Sequence, residues 1–335
     1  MKPGKLPPEL LARLLPRLPA DDPRVVVGPK VGEDAAVIDF GPRLLVAKTD
    51  PITFAADLIG WYALHVNAND IATMGAEPRW FLASLLLPAA STEADVSAIF
   101  DQLADAARDL GVALVGGHTE VTIGIDRPII LGCMLGEVER DRLITSAGAR
   151  PGDALILAGA IAVEGTALLA REAAVALAER GVGEESLARA RELLFEPGIS
   201  VVAAARAAVR AGGVAALHDP TEGGLVTGVR ELAVASGVGV EVDADAVPVL
   251  PLTREICSAL ALDPLGLIAS GSLLIAARPA AAKAILSAVA AAGCAAAVIG
   301  RVTESREGLW LVEGGQRGPL PEFARDEVAR FFGQE

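Results

Sequence analysis

Cysteine is scarce in this chain. The 335 residues contain three, Cys133, Cys257 and Cys294, far apart and with no CxxC pair or zinc-finger spacing. That excludes a disulfide framework and a cysteine-based zinc module, and it reads as buried free thiols in a reducing compartment. Excess positive charge is also absent. The net charge is −14, which argues against a nucleic-acid partner attracted by the overall field. No apolar run approaches the roughly 18 residues of a membrane span. Pro3, Pro7, Pro8, Arg13, Pro16 and Arg17 interrupt the N-terminal segment, where a secretory signal would need an unbroken apolar core. A soluble, cytoplasmic protein with no membrane or nucleic-acid partner is therefore expected.

Familiar chemical signatures are missing as well. There is no GxxxxGK[ST], no strand–GxGxxG–helix unit, no nucleophile elbow and no solenoid-type repeat. Any nucleotide must be held in another way, and covalent catalysis has no support in sequence.

What is present is an apolar content of 52% with 21% charged residues, enough for a large core and against long disorder. The 35 glycines and 21 prolines are scattered, so they punctuate many short elements. The pattern predicts a short helix over 9–18 and strands over 24–28, 35–38 and 43–49, the last ending at Asp50-Pro51. A helix follows from Asp57 to Met74, closed by Gly75, then a strand over 80–87, a helix over 92–110, a buried strand over 112–115 and a strand over 128–138. The segment 147–152 (AGARPG) reads as an inter-domain turn. Beyond it come a strand at 154–158, helices over 163–180, 185–195, 199–211 and 223–236, strands at 238–242, 272–277 and 296–300, and a helix at 279–292. Several strands follow one another without a helix between. That predicts two domains, 1–146 and 147–335, of α/β or α+β type with mixed sheets.

Five short motifs carry candidate chemistry. In Gly28-Pro29-Lys30-Val31-Gly32-Glu33-Asp34, two glycines flank a lysine. Such a backbone can turn its N–H groups toward phosphate, with Lys30 adding a charge and Asp34 at the head of an apolar strand; a surface turn is the plainer alternative. Lys48-Thr49-Asp50-Pro51 ends a strand with oxygen donors suited to magnesium, or with a turn before proline. In the helix around His65-Val66-Asn67-Ala68-Asn69-Asp70, Asp70 falls among apolar positions with Asn67 one turn away. A carboxylate there is costly unless paired or bound to metal. His65 and Asn69 point to the other face, as packing or surface residues. Gly116-Gly117-His118-Thr119-Glu120 follows the strand at 112–115, as a ligand-approaching turn or a hairpin. His218-Asp219-Pro220-Thr221-Glu222-Gly223-Gly224 precedes a helix, where Asp219 or Thr221 serves as an N-cap or the helix start receives phosphate. All three histidines fall inside these motifs. The helical wheel turns His65 away from any zinc shared with His118 and His218, and the hydroxyl, amide and carboxylate set suits magnesium better.

The stretches GEDAAVI (32–38), KTDPIT (48–53), NANDIATMGAEP (67–78), GDALILAGAIAVEGTALLA (152–170), HDPTEGGL (218–225), GVGVEVDADAVPV (237–249) and CSALALDPLGLIASGSLLIA (257–276) resemble, in order and spacing, the aminoimidazole ribonucleotide synthetase-like (PurM-like) ATP-binding superfamily. Within it the chain most resembles the hydrogenase maturation HypE proteins. The resemblance implies an N-terminal α/β domain whose strands join those of a partner copy in a dimeric β-barrel. It also implies a C-terminal α+β domain, with ATP and Mg2+ in the cleft along that interface. It assigns Asp34, Asp50 and Asp70 to magnesium and phosphate, and Asp219, Thr221 and Glu222 to a second acidic element reaching the phosphates, with Glu222 as a further metal ligand; Glu120 is the candidate metal ligand in place of the acid that His118 replaces. Gly28, Lys30 and Gly32 are assigned to cover the triphosphate. Asn67, Gly117, His118, Thr119 and Thr221 contact the nucleotide in this reading, and Asp50, Asp70 and Asp219 stand at the reacting phosphate.

Three departures accompany the resemblance. HypE proteins end in Pro-Arg-x-Cys, whereas this chain ends Arg330-Phe331-Phe332-Gly333-Gln334-Glu335. His118 stands where the family has an acid. No cysteine precedes Cys133, unlike selenophosphate synthetases. The expected function is an ATP- and Mg2+-dependent enzyme, a ligase, lyase or kinase, activating an oxygen of a small substrate by phosphoryl transfer. A small-molecule kinase like thiamine-monophosphate kinase, a nucleotide-binding accessory protein, and a maturation partner using another chain's cysteine are the alternatives. The substrate pocket is expected around Glu164-Gly165-Thr166 and Ser270-Gly271-Ser272.

Overall fold

The structure, a computed structural model, describes residues 8–17, 22–53 and 57–333. It divides into two compact units. One comprises residues 22–29 and 34–143, the other 8–17, 30–33 and 144–333. The first helix, α1 (Pro8–Leu14), belongs to the second of these.

The N-terminal unit is one six-stranded sheet carrying two helices. Its strands are β1 (Val25–Val27), β2 (Ala36–Asp39), β3 (Arg43–Ile52), β4 (Glu77–Pro88), β5 (Ala113–Thr122) and β6 (Ile129–Glu139), in the spatial order β1-β2-β3-β6-β4-β5. Only the β4–β5 pair is parallel. Alternation is clear in β3, β4 and β6: Leu44, Val46, Phe81, Leu85, Leu87, Ile130, Met134 and Val138 are buried, while the intervening residues are half-exposed. Helix α2 (Ile59–Thr73) packs against β3, β4 and β6, and α3 (Glu93–Leu110) packs against α2.

Local chemistry sets both ends of α3. Thr92 forms a capping box with Asp95, and Gly111 closes the helix at φ 68°. Helix α2 settles close to the sheet because two facing positions of β6 lack side chains. A Cβ on Gly132 would stand 2.4 Å from Asn67 Nδ2, and one on Gly136 would stand 2.3 Å from Ile71 Cγ2. The buried Ile59, Leu64, Ile71 and Met74 then each contribute roughly 1.5–3 kcal/mol by leaving water.

Two expectations for this unit are corrected. Strand β3 does not end at Asp50-Pro51 but runs on to Ile52, with Asp50 opposite Gly132. The segment 112–115 is not a short buried strand. β5 continues to Thr122 and is exposed along nearly its whole length, because it is the edge of the sheet. His118 therefore lies within a strand, not in a turn after one.

The C-terminal unit holds a seven-stranded mixed sheet. In chain order its elements are β7 (Ala154–Ala158), α4 (Val163–Glu172), α5 (Ala174–Glu179), α6 (Glu184–Glu192), α7 (Val202–Ala211), β8 (Val214–His218), α8 (Gly224–Ser236) and β9 (Gly239–Asp243). They continue with α9 (Pro251–Leu260), β10 (Leu273–Ala277), α10 (Pro279–Ala291), β11 (Ala296–Thr303), β12 (Leu309–Glu313), β13 (Gln316–Pro319) and α11 (Glu327–Phe332). The strand order is β13-β12-β9-β11-β7-β10-β8, with β9–β12 the only parallel pair. Strands β7 and β10 read as unbroken apolar runs because both of their faces are covered. Leu155, Leu157, Leu274 and Ala276 join a core with Leu169 of α4, Leu225, Val229 and Leu232 of α8, and Ile256 of α9. The mixed α+β character of this half is as expected. The single helix expected over 163–180 is instead two, since Ala173 leaves helical geometry. Among the described residues no helix is long and apolar enough to cross a membrane.

His65 is buried on α2, its ring 4.2 Å from that of Trp61, and burial pushes its pKa down to about 4. It is thus a packing histidine that stays neutral. Below the ordinary value near 6.5 the unfolded chain takes up a proton that the folded chain refuses, so stability falls as pH falls. Wild-type protein is expected to lose about 2 kcal/mol between pH 7 and pH 5 that His65→Leu does not lose. Urea unfolding at both pH values checks this.

Candidate functional site

The acidic residues of the N-terminal unit converge on the end of β3. Asp70 comes from α2 and is buried, Asp34 precedes β2 and is nearly so, and Asp50 on β3 is partly open. Lys48, two residues before Asp50 on the same strand, places its ammonium 3.2 Å from Asp70 Oδ2 and 3.8 Å from Asp50 Oδ2. Burial pushes the Asp70 carboxyl up to about 7. Lys48 pulls against that shift, while Asp50 and Asp34 push further in the same direction. Asp70 thus sits buried beside Lys48, with Asp50 and Asp34 near enough to add negative potential, and negative charge exceeds positive there.

Asn67 has a definite place in this arrangement. Its Oδ1 accepts the main-chain N–H of Asp50 at 3.0 Å, and its Nδ2 donates to the Asp50 carbonyl at 3.3 Å and to the Ala63 carbonyl at 2.9 Å. The amide is therefore spent on holding the backbone of Asp50 against α2. Thr49 Oγ1 donates to the Gly132 carbonyl at 2.7 Å and ties the same point of β3 to β6. Lys48 was missing from the expected site. The signal was available, since a lysine two residues from an aspartate on a strand shares its face.

His118, Thr119 and Glu120 are not brought to this cluster within the unit. His118 lies opposite Ser84 of β4, which lies opposite Leu131 of β6, which lies opposite Pro51 of β3. Three strand spacings separate them, roughly 14 Å. On the exposed edge, His118 Nε2 sits 3.1 Å from Glu120 Oε2, and Gly117 packs tightly on the Ala83 backbone.

In the C-terminal unit the motif at 218–224 links the end of β8 to the start of α8. His218 and Asp219 are buried, and His218 Nε2 lies 2.9 Å from Glu231 Oε2 on α8. The Thr221 carbonyl accepts the N–H groups of Gly224 and Ala269. Neither Asp219 nor Thr221 is the N-cap of α8. That position is Gly223, which has φ 80° and whose N–H donates to Asp326 Oδ2 at 2.7 Å. Asp326, the N-cap of α11, thus reaches the residue before α8 from about a hundred residues downstream, which no local pattern announces. Burial raises Asp326 to about 6 despite the N–H groups of Gly223 and Val328. Glu222 is half-buried beside this turn.

The glycine-rich segment is divided. Gly28 stays with the N-terminal unit, whereas residues 30–33 go with the C-terminal one. Gly32, at φ +86°, lies on α8 so closely that a Cβ would stand 3.0 Å from the Glu231 carbonyl, and Lys30 is exposed. The two segments expected to line a substrate pocket do meet: Ser270 lies near the carboxyl of Glu164, and Gly165 N–H donates to the Ile268 carbonyl at 3.2 Å.

Residues 32–138 match the N-terminal domain of AIR synthase related proteins, and residues 150–311 match the C-terminal domain. The chain is 35% identical over 266 residues to the carbamoyl dehydratase HypE of Cupriavidus necator, covering 77% of this chain and 72% of that protein. It also resembles the crystal structure of E. coli HypE (TM-score 0.76, 27% identity, 96% of this chain and 99% of that one). A structure of the hydrogenase maturation protein HypE in complex with ATP is similar too (TM-score 0.73, 26% identity, 96% of each chain).

Removing the Asn67 side chain leaves the Asp50 N–H and C=O without their partners. Asn67→Ala is expected to cost roughly 2 kcal/mol of stability, read as a lower urea midpoint for the N-terminal unit.

Proposed function

The chain belongs to the AIR synthase related protein family, and from that membership and the acidic cluster on β3 and α2 we propose that it is an ATP- and Mg2+-dependent enzyme that activates an oxygen of its substrate by phosphoryl transfer. Its relatives named carbamoyl dehydratase supply the substrate class, a carbamoyl group whose oxygen is lost on dehydration. The HypE structure in complex with ATP supports the nucleotide.

The observation that carries this reading is the charge imbalance at Asp34, Asp50 and Asp70. Hard carboxylate oxygens are the donors magnesium prefers, and a buried acid among two others gains from a divalent cation. When bound, the metal would neutralise phosphate charge and orient the transferring group. The residues of the chain do the rest. Asn67 holds the Asp50 backbone in place, and Lys48 balances part of the negative charge. In this reading the carboxylates of the cluster serve as metal ligands and not as nucleophiles, so catalysis is positioning and electrostatics. We assign residues 1–146 to this nucleotide-binding domain, apart from 8–17 and 30–33, which pack with the second domain, 147–335.

The exposed edge strand β5 supports a homodimer. Val115 and Val121 on β5, and Ile123 just after it, stand open to solvent at a strand paired on one side only, a liability that soluble proteins ordinarily cover. Pairing with a second copy would cover it, closing the sheet toward the barrel of the family and placing His118, Thr119 and Glu120 at the junction.

Two measurements test these readings. Isothermal titration should show ATP binding that needs Mg2+ and weakens at least about tenfold in Asp50→Asn and Asp70→Asn, since each removes a charged ligand. Absent binding, or equal binding by the variants, would overturn the nucleotide reading. Sedimentation equilibrium should give a dimer that Val121→Arg converts to monomer; a monomeric wild type would remove the dimer.

A further inference from the structure

Glu164, the second residue of α4, is a carboxylate that the acidic cluster on β3 leaves unused. It is only 8% exposed. The hydroxyl and main-chain N–H of Ser270 lie near it and favour its charged form. One of its oxygens, Oε2, is buried and has no hydrogen-bond partner among the described residues. A buried acceptor left in that state costs about 1–3 kcal/mol.

The surrounding backbone is built to hold this pair. Gly159, at φ +82°, lies so near the Gly271 carbonyl that a Cβ would be 2.4 Å from it. Gly165 meets Leu267 in the same way, and its N–H donates to the Ile268 carbonyl at 3.2 Å. Ala162, just before α4, is held at φ +59°, a conformation costly for a residue with a side chain. The start of α4 is thus pressed onto 267–272. Glu222 and Asp326 add negative potential at Glu164. Burial pushes the Glu164 carboxyl up to about 7, and in its ionised form a ligand group meeting Oε2 must donate a hydrogen bond, must not be anionic, and must tolerate a poorly solvated setting. A neutral primary amide meets all three conditions.

We propose that Glu164 is a substrate-recognition residue whose free oxygen receives an N–H of a carbamoyl group, with Ser270 positioning the carboxylate. This assignment rests on the phosphoryl-transfer reading above and gives it a selectivity element: a carbamoyl N–H is accepted, while a methyl in its place or a carboxylate is not.

The test uses the full-length protein and two cysteine-containing peptides, one S-carbamoylated and one S-acetylated. They differ only by NH2 against CH3. By isothermal titration the wild type should prefer the carbamoyl peptide at least about tenfold, because an unpaired buried acceptor penalises the analogue. Glu164→Leu should erase the preference. Glu164→Gln serves as a second variant of nearly native shape. Its carbonyl takes the Ser270 donors, which leaves an NH2 where an acceptor is needed, so it too should lose the preference. Absence of a preference in the wild type would mean that Oε2 keeps only a water, and a preference surviving in both variants would place recognition elsewhere; either overturns the inference. ATP titrated into the same three proteins should bind equally. If the wild type binds no ATP, the nucleotide reading fails separately, while the peptide comparison still reports on Glu164.

Discussion

The N-terminal unit depends on one close approach, that of α2 onto β6. Gly132 and Gly136 remove two side chains from the path of the helix, and Asn67 and Ile71 occupy the space. Once the helix is that low, the Asn67 amide can reach the backbone of Asp50 on the neighbouring strand. Asp70, one residue before Ile71, is carried down with the helix and loses its water. The acidic cluster is therefore a by-product of helix–sheet packing as much as of charge. A bulkier residue at either glycine would raise α2 and separate Asp50 from Asp70 without touching a carboxylate.

Much of this was legible in the sequence, for physical reasons. Asp70 stood out because a carboxylate at an apolar wheel position is improbable without a partner, and the structure supplies Lys48. Helices α2 and α3 were readable from periodicity and from Gly75 and Gly111 as stops. Strand β5 was misjudged because its apolar residues, Leu114, Val115 and Val121, look like core when read singly. Burial depends on what lies beside a strand, and sheet order is not written locally. Strands β8, β12 and β13 are short or end in polar residues, and α9 begins with a proline that also signals a turn. None of these has a periodic run long enough to declare itself.

The least legible contacts are those made across long stretches of chain. Asp326 accepts the Gly223 N–H ahead of α8, and Ser270 meets Glu164. In both cases the partners are about a hundred residues apart, and each is an unremarkable polar residue in its own surroundings. Motif spacing shows where a backbone turns; it does not show which distant side chain completes the turn.

Residues 30–33 bear on how the chain can be divided. They precede almost all of the N-terminal unit in sequence, yet Gly32 lies on α8 of the C-terminal unit. The backbone crosses from one unit to the other and back before β2 begins. A single cut near residue 143 would consequently not yield two self-sufficient halves. The N-terminal fragment would carry a tetrapeptide deprived of its support, and the C-terminal fragment would expose the groove on α8 that Gly32 fills. Exchange of either half between relatives, in the laboratory or in descent, has to move that tetrapeptide and α8 together.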